Sequence, residues 1–152
     1  MRNRSAQPKL RLWGLIVIAT TLVAIFFPIL NYDWIPIEDP SYYHLNPLFG
    51  EAPLLRRLLA AWFYAPESNY MPLTWNLTTL LAEFTEDNPR AFHSFSLLLH
   101  LLNSFLAFFL LRRLGLDHWA ATLTVLLFAL HPLRAESVAW ASSIKGLSLI
   151  HI

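Results

Sequence analysis

The chain has 152 residues, of which 56% are hydrophobic and only 14% charged, and its mean hydropathy is +0.45. Soluble domains carry nearer a quarter charged residues, so this balance points to a membrane protein. A net charge of +1 and the lack of cysteine exclude a nucleic-acid-binding polycation, a disulfide framework, a thiolate nucleophile and a cysteine metal site.

Residues 12–30 form a 19-residue run without a charge, preceded by Arg2, Arg4, Lys9 and Arg11. About 20 such residues in a helix cross the hydrocarbon core. The run exceeds the apolar region of a cleaved signal peptide, and no small-residue cleavage site follows it. It reads as a retained signal-anchor span. Residues 31–90 then form a long loop with two short amphipathic stretches, 52–64 and 73–84. Both are too short to span and read as helices lying on the membrane surface.

A second span is expected over 91–111, followed at once by Arg112 and Arg113. Gly115 and Asp117 make a tight turn into a third span, 118–131, which is short and sets Asp117 and His131 near the two interfaces. Pro132 is expected to end it. The positive-inside rule puts the N-terminus and the 112–118 turn in the cytoplasm, with a net charge of +5 there and −4 on the other side. The 31–90 loop and the residues from His131 onward then share the external side. The fold expected is an all-α, polytopic membrane helix bundle with three spans and amphipathic surface helices in its first external loop. No repeat of solenoid period and no glycine-rich phosphate loop is present.

Glu38 and Asp39 follow the first span by eight and nine residues. A carboxylate held at a membrane surface can act as general base toward a substrate hydroxyl, although next to Pro40 the pair also reads as a solvated turn. His131, Arg134 and Glu136 lie together after the third span, where they could hold an anion or a metal; the alternative is an Arg134–Glu136 ion pair at a helix end. Their spacing is not that of a zinc helix. In the second span His93, Ser96, His100 and Asn103 recur on one helical face. Such polar residues normally face a bundle interior, yet in a bundle of only three spans His100 and Asn103 are expected to face lipid. Thr74 reads as a cap or turn residue, and Asn76-Leu77-Thr78 matches a glycosylation sequon that chance alone produces often.

Four boxes in order give the chain a resemblance. They are Glu38-Asp39-Pro40 with Tyr42 and Asn46-Pro47; Tyr70 with Pro72-Leu73-Thr74; Asn88-Pro89, Phe92-His93, Leu98-Leu99-His100 and Asn103; and Phe128-Ala129, His131-Pro132 and Glu136-Ser137-Val138-Ala139-Trp140. Over roughly residues 26–146 this resembles the GT-C fold membrane glycosyltransferases fused to tetratricopeptide repeats, the protein O-mannosyltransferase-like family. The family usually has Asp at the position of Glu38, and of its later Arg-Lys-Asp motif only Lys145 is present.

The resemblance implies an extracytoplasmic enzyme of the bacterial inner membrane. It would transfer a sugar from a polyprenyl-phosphate donor to a hydroxyl of a protein or glycan acceptor. Asp39 would be the base and Glu38 its support. Arg134, His131 and Lys145 would face the lipid phosphate, with His93 and Glu136 in the same cavity. The resemblance fixes no cofactor and leaves a divalent cation open. It also implies further spans, so residues 1–146 are expected to be the N-terminal part of such a domain, inactive alone. Residues 147–152 read as a non-biological tail. The alternative is a non-catalytic membrane anchor of a tetratricopeptide-repeat protein in envelope assembly.

Overall fold

The computed structural model describes residues 7–34, 46, 48, 50–64, 70–86 and 88–139, and the side chains of these from Leu12 onward. All regular structure among them is helical: α1 Gln7–Phe26, a 3-10 turn Phe27–Asn31, α2 Leu54–Ala60, α3 Pro72–Thr85, α4 Pro89–Arg113, α5 His118–Ala129 and α6 Pro132–Ala139.

α1 ends where Pro28, with no N–H to donate, tightens the chain into the 3-10 turn. α4 starts on Asn88, whose side chain accepts from the Arg90 N–H at 3.0 Å, and on Pro89, whose fixed φ suits a first helical turn. It ends with Arg112 and Arg113 on its negative dipole end. Gly115, at φ 97°, then turns the chain, and the Leu116 N–H reaches back to the Leu111 carbonyl. Asp117 caps α5 by accepting from the N–H groups of Trp119 (2.9 Å) and Ala120 (3.0 Å). The expected turn is therefore present, with glycine at the left-handed position and aspartate at the cap.

α1, α4 and α5 pack together, with α6 set against α4 and α1. The main core joins Ile18, Leu22 and Phe26 of α1 to Leu97 and Phe108 of α4, Ala121, Val125 and Ala129 of α5, and Val138 of α6. A Cβ added to Gly14 would lie 2.8 Å from Thr122 Oγ1 and 3.1 Å from Phe108, so α1 meets α5 and α4 closely there. Phe26 and His100 touch edge to face further along, and His100 Nε2 lies 3.1 Å from the Ala129 carbonyl. α1 and α5 thus run parallel to each other and antiparallel to α4.

Two helices, 12–31 (α1 with the 3-10 turn) and α4, are long and apolar enough to cross a membrane. Only 28% and 39% of their most apolar stretches are buried within the bundle. A core helix of a soluble protein buries far more, so the exposed leucine and phenylalanine faces call for an apolar solvent. α5 is apolar but has 12 residues. At 1.5 Å per residue it spans roughly 18 Å, short of the hydrocarbon core of about 30 Å.

α2 and α3 pair through Ala61, Met71 and Trp75, and α3 joins α4 through Ala82, Phe92 and Leu99. Burying a Met side chain contributes about 2 kcal/mol when the alternative is water. Both loop helices differ in extent from expectation: α2 is confined to Leu54–Ala60 because Pro53 precedes it and turns follow, and α3 is slightly longer, from Pro72 to Thr85. Their outward faces stay apolar: Leu55, Leu59 and Phe63 on one, Leu73, Leu77 and Phe84 on the other.

Candidate functional site

The chain leaving α1 is fastened to the beginning of α4. Arg90 Nε donates to the Leu30 carbonyl (3.1 Å), and its Nη2 donates to Asn31 Oδ1 (3.2 Å). Tyr32 meets His93 edge to face with ring centroids 6.4 Å apart, and Trp34 meets Phe92 at 5.0 Å. These contacts explain why an Asn-Pro cap, an arginine and a Phe-His pair belong together: they join the exit of α1 to the entry of α4. His93 itself is fully buried. Glu38, Asp39 and Lys145 lie outside the described residues, as do Pro40, Tyr42, Pro47 and Trp140.

The polar stripe of α4 lies inside the bundle. His93, Ser96, His100 and Asn103 are all buried, so the expectation that His100 and Asn103 face lipid is overturned. The reason is the antiparallel seating of α5, which brings the Ala129 carbonyl opposite His100, while Phe26 of α1 covers its ring. Ser104 donates to the His100 carbonyl at 2.8 Å, which keeps its hydroxyl bonded within α4.

His131, Arg134 and Glu136 stand within one and a half turns of each other, but they form no ion pair. The Arg134–Glu136 bridge of the alternative reading is absent; Arg134 makes a cation–π contact instead, its guanidinium 4.7 Å from the Phe128 ring centroid. Glu136 and His131 are exposed. His131 Nδ1 accepts from the Leu133 N–H at 3.3 Å, and Pro132 opens α6 rather than only closing α5. The turn at Leu130–His131 is what frees Arg134 to fold back over Phe128. Among the described residues no cluster of three His, Asp or Glu is placed to hold a metal ion.

The loop helices contain a feature that sequence reasoning missed. Arg57, almost completely buried, forms an ion pair with Glu83 across α2 and α3, and its Nη1 reaches the Leu48 carbonyl at 3.5 Å. The pair borders a cavity of about 520 Å³ that Glu51 and Glu86 also line. Three carboxylates against one guanidinium make its wall net negative. Glu86 closes α3 in the left-handed conformation, at φ 52°. The only signal in the sequence was an arginine on the inward side of a short amphipathic helix. Thr74 is buried within the first turn of α3, where its carbonyl accepts from Thr78, and it does not cap the helix. The sequon is internally engaged: Asn76 donates to the Leu58 carbonyl (2.9 Å) and accepts from Trp62 Nε1 (3.1 Å) in the amide orientation that satisfies both, and Thr78 is buried.

No family model, no curated protein and no solved structure matches the chain.

Proposed function

We propose that this chain is the N-terminal part of a polytopic GT-C-type membrane glycosyltransferase that moves a sugar from a polyprenyl-phosphate donor to a hydroxyl of a protein or glycan acceptor. The observation that carries this reading is the order and spacing of the four boxes. Its support in the fold is that α1 and α5 both run toward the end where α4 begins, so the boxes after the first and third apolar helices leave the bundle on one side. α5 serves as a third span, its shortfall met by local thinning of the bilayer. The N-terminus is cytoplasmic by the positive-inside rule, and the membrane is the bacterial inner membrane. The apolar outer faces of α2 and α3 rest in the headgroup layer.

In the reaction, Asp39 accepts the proton of the acceptor hydroxyl, with Glu38 supporting it. The acceptor oxygen attacks the anomeric carbon as the bond to the lipid phosphate breaks, so the configuration inverts. The departing phosphate takes the negative charge, which Arg134, His131 and Lys145 offset. His93 and Glu136 belong to the proposed set of substrate-binding residues. The test measures sugar release from polyprenyl-phosphate donors by the full-length gene product that carries residues 1–146, wild type beside Asp39→Asn. Loss of turnover with expression intact is the expected result. Equal turnover in both proteins removes Asp39 as the base.

The second reading, a membrane anchor for a repeat domain, is favoured by one observation: His100 is engaged in packing α4 to α5. A wild type silent with every donor would favour it.

A further inference from the structure

One end of the bundle combines three features that the proposed sugar transfer does not use. First, a cavity of about 250 Å³ is lined by Phe108, Phe109, Arg112 and Arg113 at the close of α4. Second, the charge there is one-sided. Arg113 is exposed and makes no ion pair or side-chain hydrogen bond among the described residues. Arg112 is half-buried; its guanidinium donates to the Leu116 carbonyl, which fixes its position while leaving other N–H donors free. Asp117 is the only acid in this turn; it caps α5 and, facing the Arg112 guanidinium, offsets one of the two positive charges, which leaves Arg113 uncompensated among the described residues. Third, Trp13 and Trp119 are both strongly exposed at the same level, since Gly14 and Thr122 face each other beside Phe108. Two exposed indoles at one depth, beside two arginines, mark the boundary between acyl chains and headgroups.

We infer that the cavity at the close of α4 is a binding site for an anionic phospholipid. The Arg113 and Arg112 guanidiniums hold its phosphodiester, and Phe109 with Leu106 and Leu110 receives the first segment of an acyl chain. Charge complementarity selects this occupant. A phosphodiester offers two non-bridging oxygens that paired guanidinium N–H donors match, and a zwitterionic lipid brings an ammonium group that the two arginines repel. Leu106, Phe109 and Leu110 are each about half exposed on the adjoining face of α4, so a chain leaving the phosphate meets an apolar track. Basic pockets at the headgroup level recognise anionic lipids in this way. The inference rests on the membrane placement of α4 and not on glycosyl transfer.

The test uses the full chain in neutral detergent micelles. Retention of phosphatidylglycerol and of phosphatidylcholine is counted by native mass spectrometry. Wild type is compared with Arg113→Gln, with Arg112→Gln/Arg113→Gln, and with Arg56→Gln, which removes the charge of one exposed arginine from α2. Wild type is expected to retain phosphatidylglycerol at least fivefold over phosphatidylcholine. Arg113→Gln, which breaks no ion pair or side-chain hydrogen bond among the described residues, should lower that ratio at least twofold, and the α4 double variant should bring it near one. The Arg56→Gln control should leave it unchanged. The site is refuted if wild type retains the two lipids equally, if the control loses selectivity as the α4 variants do, or if inorganic phosphate at the same concentration displaces the lipid. Retention of neither lipid would refute the site and the membrane placement together, whereas equal retention of both refutes the site alone.

Discussion

Gly14→Ala is expected to loosen the bundle, because a single methyl group enters a contact with no room for it. Its Cβ would sit 2.8 Å from Thr122 Oγ1, about 0.6 Å inside an ordinary contact, and 3.1 Å from two atoms of the Phe108 ring. Thr122 cannot move away freely. Its hydroxyl donates to the His118 carbonyl at 2.8 Å, and rotating it off gives up a bond worth about 1 kcal/mol. Phe108 is fully buried and held edge to face by His118 at 5.7 Å. Overpacking of this kind costs about 1–3 kcal/mol. Alanine recovers up to about 1 kcal/mol of helix propensity over glycine. The net expectation is a loss of about 1–2 kcal/mol.

The assay is unfolding of the purified chain in mixed micelles by increasing dodecyl sulfate, followed by circular dichroism. Thr122→Ala in the Gly14→Ala background should recover a large part of the loss, with a coupling of about 1 kcal/mol. Thr122→Ser, which keeps the oxygen, should recover little. A Gly14→Ala protein as stable as wild type, or a Thr122→Ala change that restores nothing, would show that α1 and α5 do not meet at this point.

Two other perturbations follow from the same geometry. Glu83→Gln leaves the Arg57 guanidinium buried without its counter-charge and should destabilise the α2–α3 pair by about 1–3 kcal/mol, the partial exposure of Glu83 keeping it below the cost for a fully buried pair. Arg57→Met should cost less, because Glu83 can turn to water; amide exchange in α2 measures both, and the reverse order would contradict the burial of Arg57. Asp117 is held below the ordinary aspartate range, chiefly by the Ala120 N–H, with further help from the Trp119 N–H and the Arg112 guanidinium. Its support of the α5 start is therefore complete above the ordinary aspartate pKa and is lost as pH falls through the lowered value. A carboxyl titration by NMR should place its midpoint under that of an unstructured aspartate, and a midpoint at or above it would remove the cap.

Several elements were legible before any coordinates. The charge-free run of 12–30, the apolar run of 91–111, and the turn residues Gly115 and Asp117 all appear where hydrophobic length and backbone chemistry put them, because each depends on neighbours a few residues away. The helical spacing of His93, Ser96, His100 and Asn103 likewise marked one face of α4. What that face meets is a different kind of fact. The Ala129 carbonyl opposite His100 lies 29 residues along the chain, and nothing local to either residue encodes the pairing. Arg57 and Glu83 are 26 residues apart and meet only because α2 and α3 fold together. Arg134 turned to Phe128 rather than to Glu136 because the break at Leu130–His131 redirects α6, and a ring face lay within reach. Length, apolarity and capping are local and additive, so they can be read along the chain. Partners for buried polar groups are set by how helices cross, and that emerges only when distant segments exclude solvent from one another.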